Sequence, residues 1–143
     1  MSEATGAMFS GHTSNGRVLV VDDEPDVRKV IKRILTKAGY DVIEAEDGEK
    51  AIEAIKKGDN PLLLDVIISD IRMPKINGIE AIHYFQQQWP RVPLIVLTGF
   101  PELEMAIDFL KIGVVDYLVK PVAKEKLMNA VAKAIGQREL HRL

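Results

Sequence analysis

Carboxylate, hydroxyl and ammonium side chains end four short apolar runs along the chain. These residues are Asp22, Asp23, Asp70, Thr98 and Lys120. Three carboxylates at one place would repel one another and lose hydration, so they are costly unless a cation neutralises them. Oxygen ligands without cysteine or histidine favour Mg²⁺, for which Mn²⁺ can substitute. If the fold brings these residues together, they form a metal site.

The same set could also handle a phosphoryl group. The compact ammonium of Lys120 suits one phosphate oxygen, and the hydroxyl of Thr98 can donate to another. A carboxylate can attack phosphorus and form an aspartyl phosphate, while a metal ion and a lysine offset the charge on the transferred group. Asp70 is best placed for this role, because it follows a run of buried-type residues and precedes Met73 and Pro74.

The elements that must position these residues alternate between strand-like apolar runs and helical periodicity. We predict strands at 18–21, 40–45, 66–69, 94–97 and 117–119, and helices that begin near 25, 48, 78, 101 and 124. Repeats of about 25 to 30 residues are typical of βαβ units. The pattern predicts a doubly wound α/β domain with a parallel sheet, whose strands all end along one ligand-binding edge.

Composition and charge exclude several classes of protein. The chain has 143 residues, with 19 basic and 21 acidic side chains, a formal net charge of -2 and no cysteine. We therefore expect one folded domain, no direct nucleic-acid partner and a cytoplasmic location. No apolar run approaches the roughly 20 residues that span a bilayer, so we expect no membrane partner.

The chain divides unevenly into a folded part and its ends. Residues 1–16 are rich in serine, threonine and glycine, and we expect a flexible leader that cannot bury enough apolar surface to order itself. Residues 17–137 are the predicted domain. Residues 138–143 are the expected end of the last helix and a tail.

Four segments resemble the signatures of response-regulator receiver domains. They are VVDDEP at 20–25, SDIRMP at 69–74 with Gly78, LTG at 97–99, and DYLVKP at 116–121. The resemblance implies a flavodoxin-like (βα)5 fold, a three-layer sandwich with strand order 2-1-3-4-5. It also implies that Asp70 takes a phosphoryl group from the phosphohistidine of a histidine kinase or phosphotransfer protein. The chain would then be no enzyme beyond catalysing its own phosphorylation and dephosphorylation.

The resemblance also gives the other site residues their roles. Asp23 and Asp70 ligate Mg²⁺ directly, and Asp22 acts mainly through metal-bound water. The backbone carbonyl of Arg72 completes the metal shell. Lys120 pairs with the phosphoryl group, and its peptide bond to the following proline is cis.

Switching is the further property that the resemblance implies. Thr98 swings toward the phosphoryl group, and Tyr117 is the switch aromatic. An effector or output domain would read the surface of the last two helices and the last strand, for which residues 105–111 and 117–119 are our candidates. The same surface would also serve a homodimer.

Three rival functions stay open at this stage. A small phosphatase of the haloacid dehalogenase type needs a second aspartate two residues after the nucleophile, where this chain has Arg72. A nucleotide or flavin module needs a glycine-rich phosphate loop, and no such motif follows the first strand. An interaction domain that is never phosphorylated gives no reason to gather three acids and a lysine at one edge.

Two further features concern the lifetime of the aspartyl phosphate and the surface that meets a kinase. Gly99 stands where the family usually has alanine, and we expect bulky Phe100 beside it to slow hydrolysis of the aspartyl phosphate. The first helix carries a basic run, which we expect to be a solvated face near the surface where receiver domains meet their kinase. That run is Arg28, Lys29, Lys32, Arg33 and Lys37.

Overall fold

Strands and helices alternate along the chain. The computed structural model describes residues 14–71, 78–99 and 113–142. The described strands are β1 (Arg17–Val21), β2 (Asp41–Ala45), β3 (Leu64–Asp70), β4 (Leu94–Thr98) and β5 (Asp116–Val119). The described helices are α1 (Pro25–Lys37), α2 (Gly48–Lys56), α3 (Asn60–Leu63), α4 (Gly78–Gln88) and α5 (Lys124–Arg142). The helix predicted at 101–112 lies outside the described residues.

The five strands form one parallel sheet in the order β2-β1-β3-β4-β5. This is the predicted order 2-1-3-4-5, and the flavodoxin-like fold class is confirmed. Near the carboxyl end of the sheet, Val21 pairs with Ser69 and Asp70 pairs with Leu97. The residues that follow β1, β3 and β4 therefore meet at one edge.

Alternate strand residues enter two separate apolar clusters. Leu19 and Val21 point to the cluster that includes side chains of α2 and α4. Val18 and Val20 point to the cluster shared with α1 and α5. Because helices cover both faces, β3 is buried along its whole length, which explains the continuous apolar run at 66–68 in its centre. The result is the three-layer sandwich that the sequence predicts.

Helix α1 begins and ends where local sequence requires it. Pro25 occupies its first turn, and its N-terminal neighbour Glu24 donates its backbone N–H to Asp22 Oδ1 over 2.8 Å. Gly39 follows the last turn with φ of 93°, a conformation that glycine adopts without strain. A side chain there would also collide with Asn15, whose Nδ2 lies 2.5 Å from the position of an added Cβ. The start of α1 at Pro25 therefore confines the turn between β1 and α1 to residues 22–24.

The segment before β3 differs from the prediction. We expected a simple turn at 58–61 and a strand from residue 66, but the chain forms the short helix α3 and β3 begins at Leu64. The sequence left the start of this strand uncertain, because Leu64 and Asp65 stand where the family commonly has a Pro-Asp pair. The Asp65 carboxylate accepts the backbone N–H of Arg17 over 2.9 Å, which satisfies the charge inside the sheet.

Both ends of the predicted domain make further contacts. Asn15 donates its backbone N–H to Gly39, and Asp41 donates to the carbonyl of Gly16, each over 2.9 Å. Helix α5 continues past residue 137, and Arg138 donates to the carbonyl of Arg91 over 3.2 Å. The domain limits at 17 and 137 stay a prediction. In the described part of the chain, none of the helices has both the length and the apolarity to cross a bilayer.

Candidate metal and phosphoryl site

Four carboxylates converge at the carboxyl edge of the sheet. Asp22, Asp23 and Glu24 lie in the turn between β1 and α1, and Asp70 is the last residue of β3. One oxygen of each lies within 4.8 Å of the others. The structure thus brings together the three acids that we predicted from the strand ends. Glu24 was not predicted, although three consecutive acids in one irregular turn could have indicated it.

Lys120 lies at the centre of these acids. Its Nζ is 2.7 Å from Glu24 Oε1, 2.8 Å from Asp22 Oδ2 and 2.9 Å from Asp70 Oδ2. Its backbone N–H donates to the carbonyl of Thr98 over 2.8 Å, and the Lys120–Pro121 peptide is cis. The end of β5 therefore places one ammonium group among four carboxylates.

Burial and ion pairing act in opposite directions on Asp22 and Lys120. Asp22 is fully buried, and this burial raises its pKa although the Lys120 ammonium and the Glu24 N–H oppose the shift. Burial lowers the pKa of Lys120, but its contacts with Asp22, Glu24 and Asp70 outweigh that effect and the pKa is raised. Lys120 therefore stays charged, whereas ionised Asp22 is costly to bury.

The donor set fits a hard divalent cation. Asp22 Oδ2 is buried and has no hydrogen bond of suitable geometry among the described residues, so its contact with Lys120 is electrostatic. Asp23, Glu24 and Asp70 add further carboxylate oxygens at the same place. Mg²⁺ prefers such oxygen ligands.

A cleft of about 640 Å³ gives access to these groups. Asp23 and Glu24 are exposed, whereas the side chain of Asp70 is only 4% exposed. Gly99 lies on the wall of the cleft, and an added Cβ there would have no atom within 4 Å. The alanine that the family usually has at this position would therefore also fit without a clash with any described residue.

The two predicted switch residues lie on neighbouring strands. Thr98 ends β4 and is 4% exposed. Tyr117 lies in β5 opposite Val96, and its half-buried ring packs against the apolar cluster of α2 and α4. The remaining predicted site positions, Arg72, Phe100 and residues 105–111, lie outside the described residues.

The basic run on α1 is not uniformly solvated. Four of its members are exposed as expected: Lys29, Lys32, Arg33 and Lys37. The expectation was wrong for Arg28, whose guanidinium donates to the backbone carbonyl of Asp22 and to Glu44. Helical periodicity placed Arg28 on the outer face, but it did not show that a long side chain could reach back to the turn before the helix.

The comparisons with known proteins agree with this geometry. The family model described as the response regulator receiver domain matches residues 18–132. The chain is 38% identical over 118 residues to the chemotaxis protein CheY of Thermotoga maritima, covering 82% of this chain and 95% of that protein. It is also 38% identical to the alkaline phosphatase synthesis transcriptional regulatory protein PhoP of Bacillus subtilis, covering 87% of this chain and 50% of the relative.

Coverage differs among the other relatives. The chain spans 27% of the response regulator protein PilR of Pseudomonas aeruginosa and 60% of the transcriptional regulatory protein FixJ of Bradyrhizobium diazoefficiens. Among solved structures, it is similar to a response regulator receiver domain protein from Clostridium thermocellum. That similarity has a TM-score of 0.80 and 32% identity, and it covers 87% of this chain and 98% of the other.

Proposed function

The chain belongs to the response regulator receiver domain family, and on this premise we propose that Asp70 is its phosphoacceptor. The observation that carries the proposal is the cluster of four acids, three of which contact Lys120, at an accessible cleft. The donor would be the phosphohistidine of a sensor histidine kinase or a phosphotransfer protein. The proposed chemistry is self-phosphorylation and dephosphorylation in a two-component system.

In the proposed transfer, an oxygen of Asp70 attacks phosphorus. The new bond is the O–P bond of an aspartyl phosphate, and the imidazole leaves with the electron pair of the broken N–P bond. Lys120 exchanges part of its contact with the acids for a phosphoryl oxygen, which its ammonium can reach because it already lies 2.9 Å from Asp70 Oδ2. Burial of Asp70 at the strand end keeps the nucleophile fixed in one position.

The residues that would hold Mg²⁺ are Asp23 and Asp70 directly, Asp22 mainly through water, and the backbone carbonyl of Arg72. A bound divalent cation supplies positive charge beside the transferred group. The fully buried Asp22 supports this assignment, since a buried carboxylate whose ionisation is costly gains from a nearby cation. Mn²⁺ should replace Mg²⁺ because its ligand preference is similar.

Phosphorylation would change the surface near β5 through Thr98 and Lys120. The Lys120 backbone N–H is bonded to the Thr98 carbonyl, so a movement of either residue is transmitted to the end of β5. Tyr117, in the same strand, is half-buried and packs against the apolar cluster of α2 and α4, and we propose that its packing changes with this movement. A downstream effector, an output domain or a second copy of the chain would read the altered surface.

Intact mass measurement after incubation with acetyl phosphate and Mg²⁺ tests the proposal. We expect one added phosphoryl group on the wild type and none on Asp70→Asn. Asp65→Asn is the matched control, because Asp65 is a buried acid in the same strand at the opposite edge, and it should still be phosphorylated. Equal labelling of Asp70→Asn and wild type would overturn the proposal. An unmodified wild type would instead favour an interaction domain that is not phosphorylated.

A further inference from the structure

The guanidinium of Arg28 links helix α1, the acidic turn and strand β2. Its Nη1 donates to the backbone carbonyl of Asp22 over 2.5 Å, and its Nε donates to Glu44 Oε1 over a longer 3.4 Å. The Arg28 side chain is only 16% exposed, and that of Glu44 is 29% exposed. A planar guanidinium suits this position, because it can donate to two acceptors that lie in different directions.

The carbonyl that Arg28 binds belongs to the peptide between Asp22 and Asp23. The other groups of Asp22 are held separately: its backbone N–H donates to Ala45 over 3.1 Å, and its Oδ1 accepts from Glu24 over 2.8 Å. Neither of these bonds holds the Asp22 carbonyl itself, so neither restrains the orientation of the peptide that leads into Asp23. Among the described contacts, Arg28 is the side chain that holds this carbonyl and so opposes a displacement of the peptide and of the Asp23 carboxylate that follows it.

We propose that Arg28 is a positioning residue for the metal-binding acids. It fixes the peptide between Asp22 and Asp23, and Glu44 holds the guanidinium in place. This inference rests on the proposed function, since it assumes that these acids bind a divalent cation. Groups that orient metal ligands typically change metal affinity about 10- to 100-fold when they are removed.

A positioning role for Arg28 and a purely electrostatic role predict opposite changes in cation affinity for Arg28→Ala. Removing a positive charge near an acidic cluster should by itself strengthen cation binding. Loss of the bond to Asp22 should weaken it, because the Asp23 carboxylate would no longer be held in the ligand position. We expect binding about tenfold weaker, which is at the low end of that range.

Lys32 provides the matched control on the same helix. Its Nζ lies 3.4 Å from Glu44 Oε2, its side chain is 49% exposed, and its described contacts include no acid of the site. Lys32→Ala therefore removes a charge that is paired with the same glutamate without touching the turn. We expect its effect on cation affinity to be less than twofold.

Binding of Mn²⁺ to the full chain, followed by the electron paramagnetic resonance signal of the free ion, tests the inference. Asp23→Asn shows whether the ion occupies this site, and thermal unfolding without metal shows that each variant folds. The inference is supported if Arg28→Ala binds Mn²⁺ about tenfold more weakly than wild type and Lys32→Ala binds it nearly as tightly as wild type. Affinity of Arg28→Ala equal to or tighter than that of wild type overturns it.

Arg28→Lys keeps the inference testable if Arg28→Ala does not fold. It retains the charge but loses the two-directional donor, so we expect an affinity between those of wild type and Arg28→Ala, and an unchanged affinity would overturn the inference. Wild-type binding no tighter than that of Asp23→Asn would instead refute the proposed metal site, and the role of Arg28 with it. The two failures are thus distinguishable.

Discussion

Strand β3 carries a buried aspartate at each end, and the two ends differ in how their charge is balanced. At the amino edge, Asp65 accepts the backbone N–H of Arg17 and lies 3.9 Å from Arg138 Nε. The Arg17 side chain in turn pairs with Asp59 over 2.8 Å. Each acid in this group has a basic residue beside it, and the charges are close to balance.

At the carboxyl edge, four carboxylates lie together and one ammonium group contacts three of them. Asp70 is as well buried as Asp65, so burial does not distinguish the two edges. What distinguishes them is the excess of negative charge at the carboxyl edge. A structural charge is satisfied by its neighbours, whereas an excess that persists in a cleft indicates a place for a cation and a charged reactant.

Among the variants that test this difference between the edges, Lys120→Met should change the free energy of unfolding most. Removing the one ammonium leaves four acids facing one another, and we expect a loss of about 2 kcal/mol in the free energy of unfolding without divalent ions. Because Mg²⁺ can replace the lost charge, it should stabilise this variant more than the wild type. Urea unfolding with and without Mg²⁺ measures both effects.

Lys126→Met is the control for that substitution, since Lys126 is an exposed lysine on α5. It should change the stability little and leave the response to Mg²⁺ unchanged. An equal loss of stability in the two variants would show that the carboxyl edge does not depend on Lys120.

Replacing a buried aspartate by asparagine should change the free energy of unfolding in opposite directions at the two edges. The pKa of Asp22 is raised by burial, so its contribution to stability is fully present below the unfolded pKa and is lost as the pH rises through the folded pKa. We therefore expect Asp22→Asn to be about 1 kcal/mol more stable than wild type at pH 7 without metal. That advantage should vanish at acidic pH.

Asp65→Asn should instead be less stable than wild type at pH 7, by about 1 kcal/mol, because it weakens the bond to Arg17. Urea unfolding of both variants at pH 7 and near pH 4 checks the pair. Destabilisation of similar size at both edges would remove the distinction between them.

Glu24→Gln should have a smaller effect, visible in binding and rate. It removes one acid from the cluster, so Mg²⁺ binding should weaken about two- to threefold. At saturating Mg²⁺, however, reaction with acetyl phosphate should be about twofold faster, because Lys120 loses a competing partner at 2.7 Å and the anionic donor meets less negative charge. Calorimetric titration of Mg²⁺ and the rate of mass increase measure the two effects. Glu46→Gln, at an exposed acid near the end of β2, should change neither.

The smallest effect should come from Asp59→Asn at the amino edge. Arg17 lowers the pKa of the exposed Asp59 carboxyl, so this pair contributes stability above the unfolded pKa and loses it as the pH falls through the folded pKa. The variant should be slightly less stable than wild type at pH 7, and the difference should disappear near pH 3 and in high salt. A loss larger than that of Asp65→Asn would contradict this order.

Much of the fold could be predicted from the sequence because its signals are local and repeated. The run at 18–21 and the helical periodicity after Pro25 each specify an element without reference to the rest of the chain. Helix α3 was missed because four residues are too few to show a period. The early start of β3 was missed because Asp65 is stabilised by Arg17, which lies 48 residues earlier in the chain.

The candidate site could be predicted only as far as strand ends determine it. Asp22, Asp70 and Lys120 follow parallel strands, so the topology alone brings them to one edge. Glu24 and Arg28 depend on the direction of side chains in the turn and first helical turn of α1. That direction follows from contacts such as the one between Arg28 and Asp22, which sequence spacing does not encode.

Mapping the modified residue tests the central claim most directly. After incubation with acetyl phosphate, borohydride reduction converts an aspartyl phosphate to homoserine, and peptide mass spectrometry locates the change. We predict modification at Asp70 that requires Mg²⁺ or Mn²⁺ and is absent when a chelator is added. Modification at another acid, or at Asp70 regardless of divalent ions, would contradict the account.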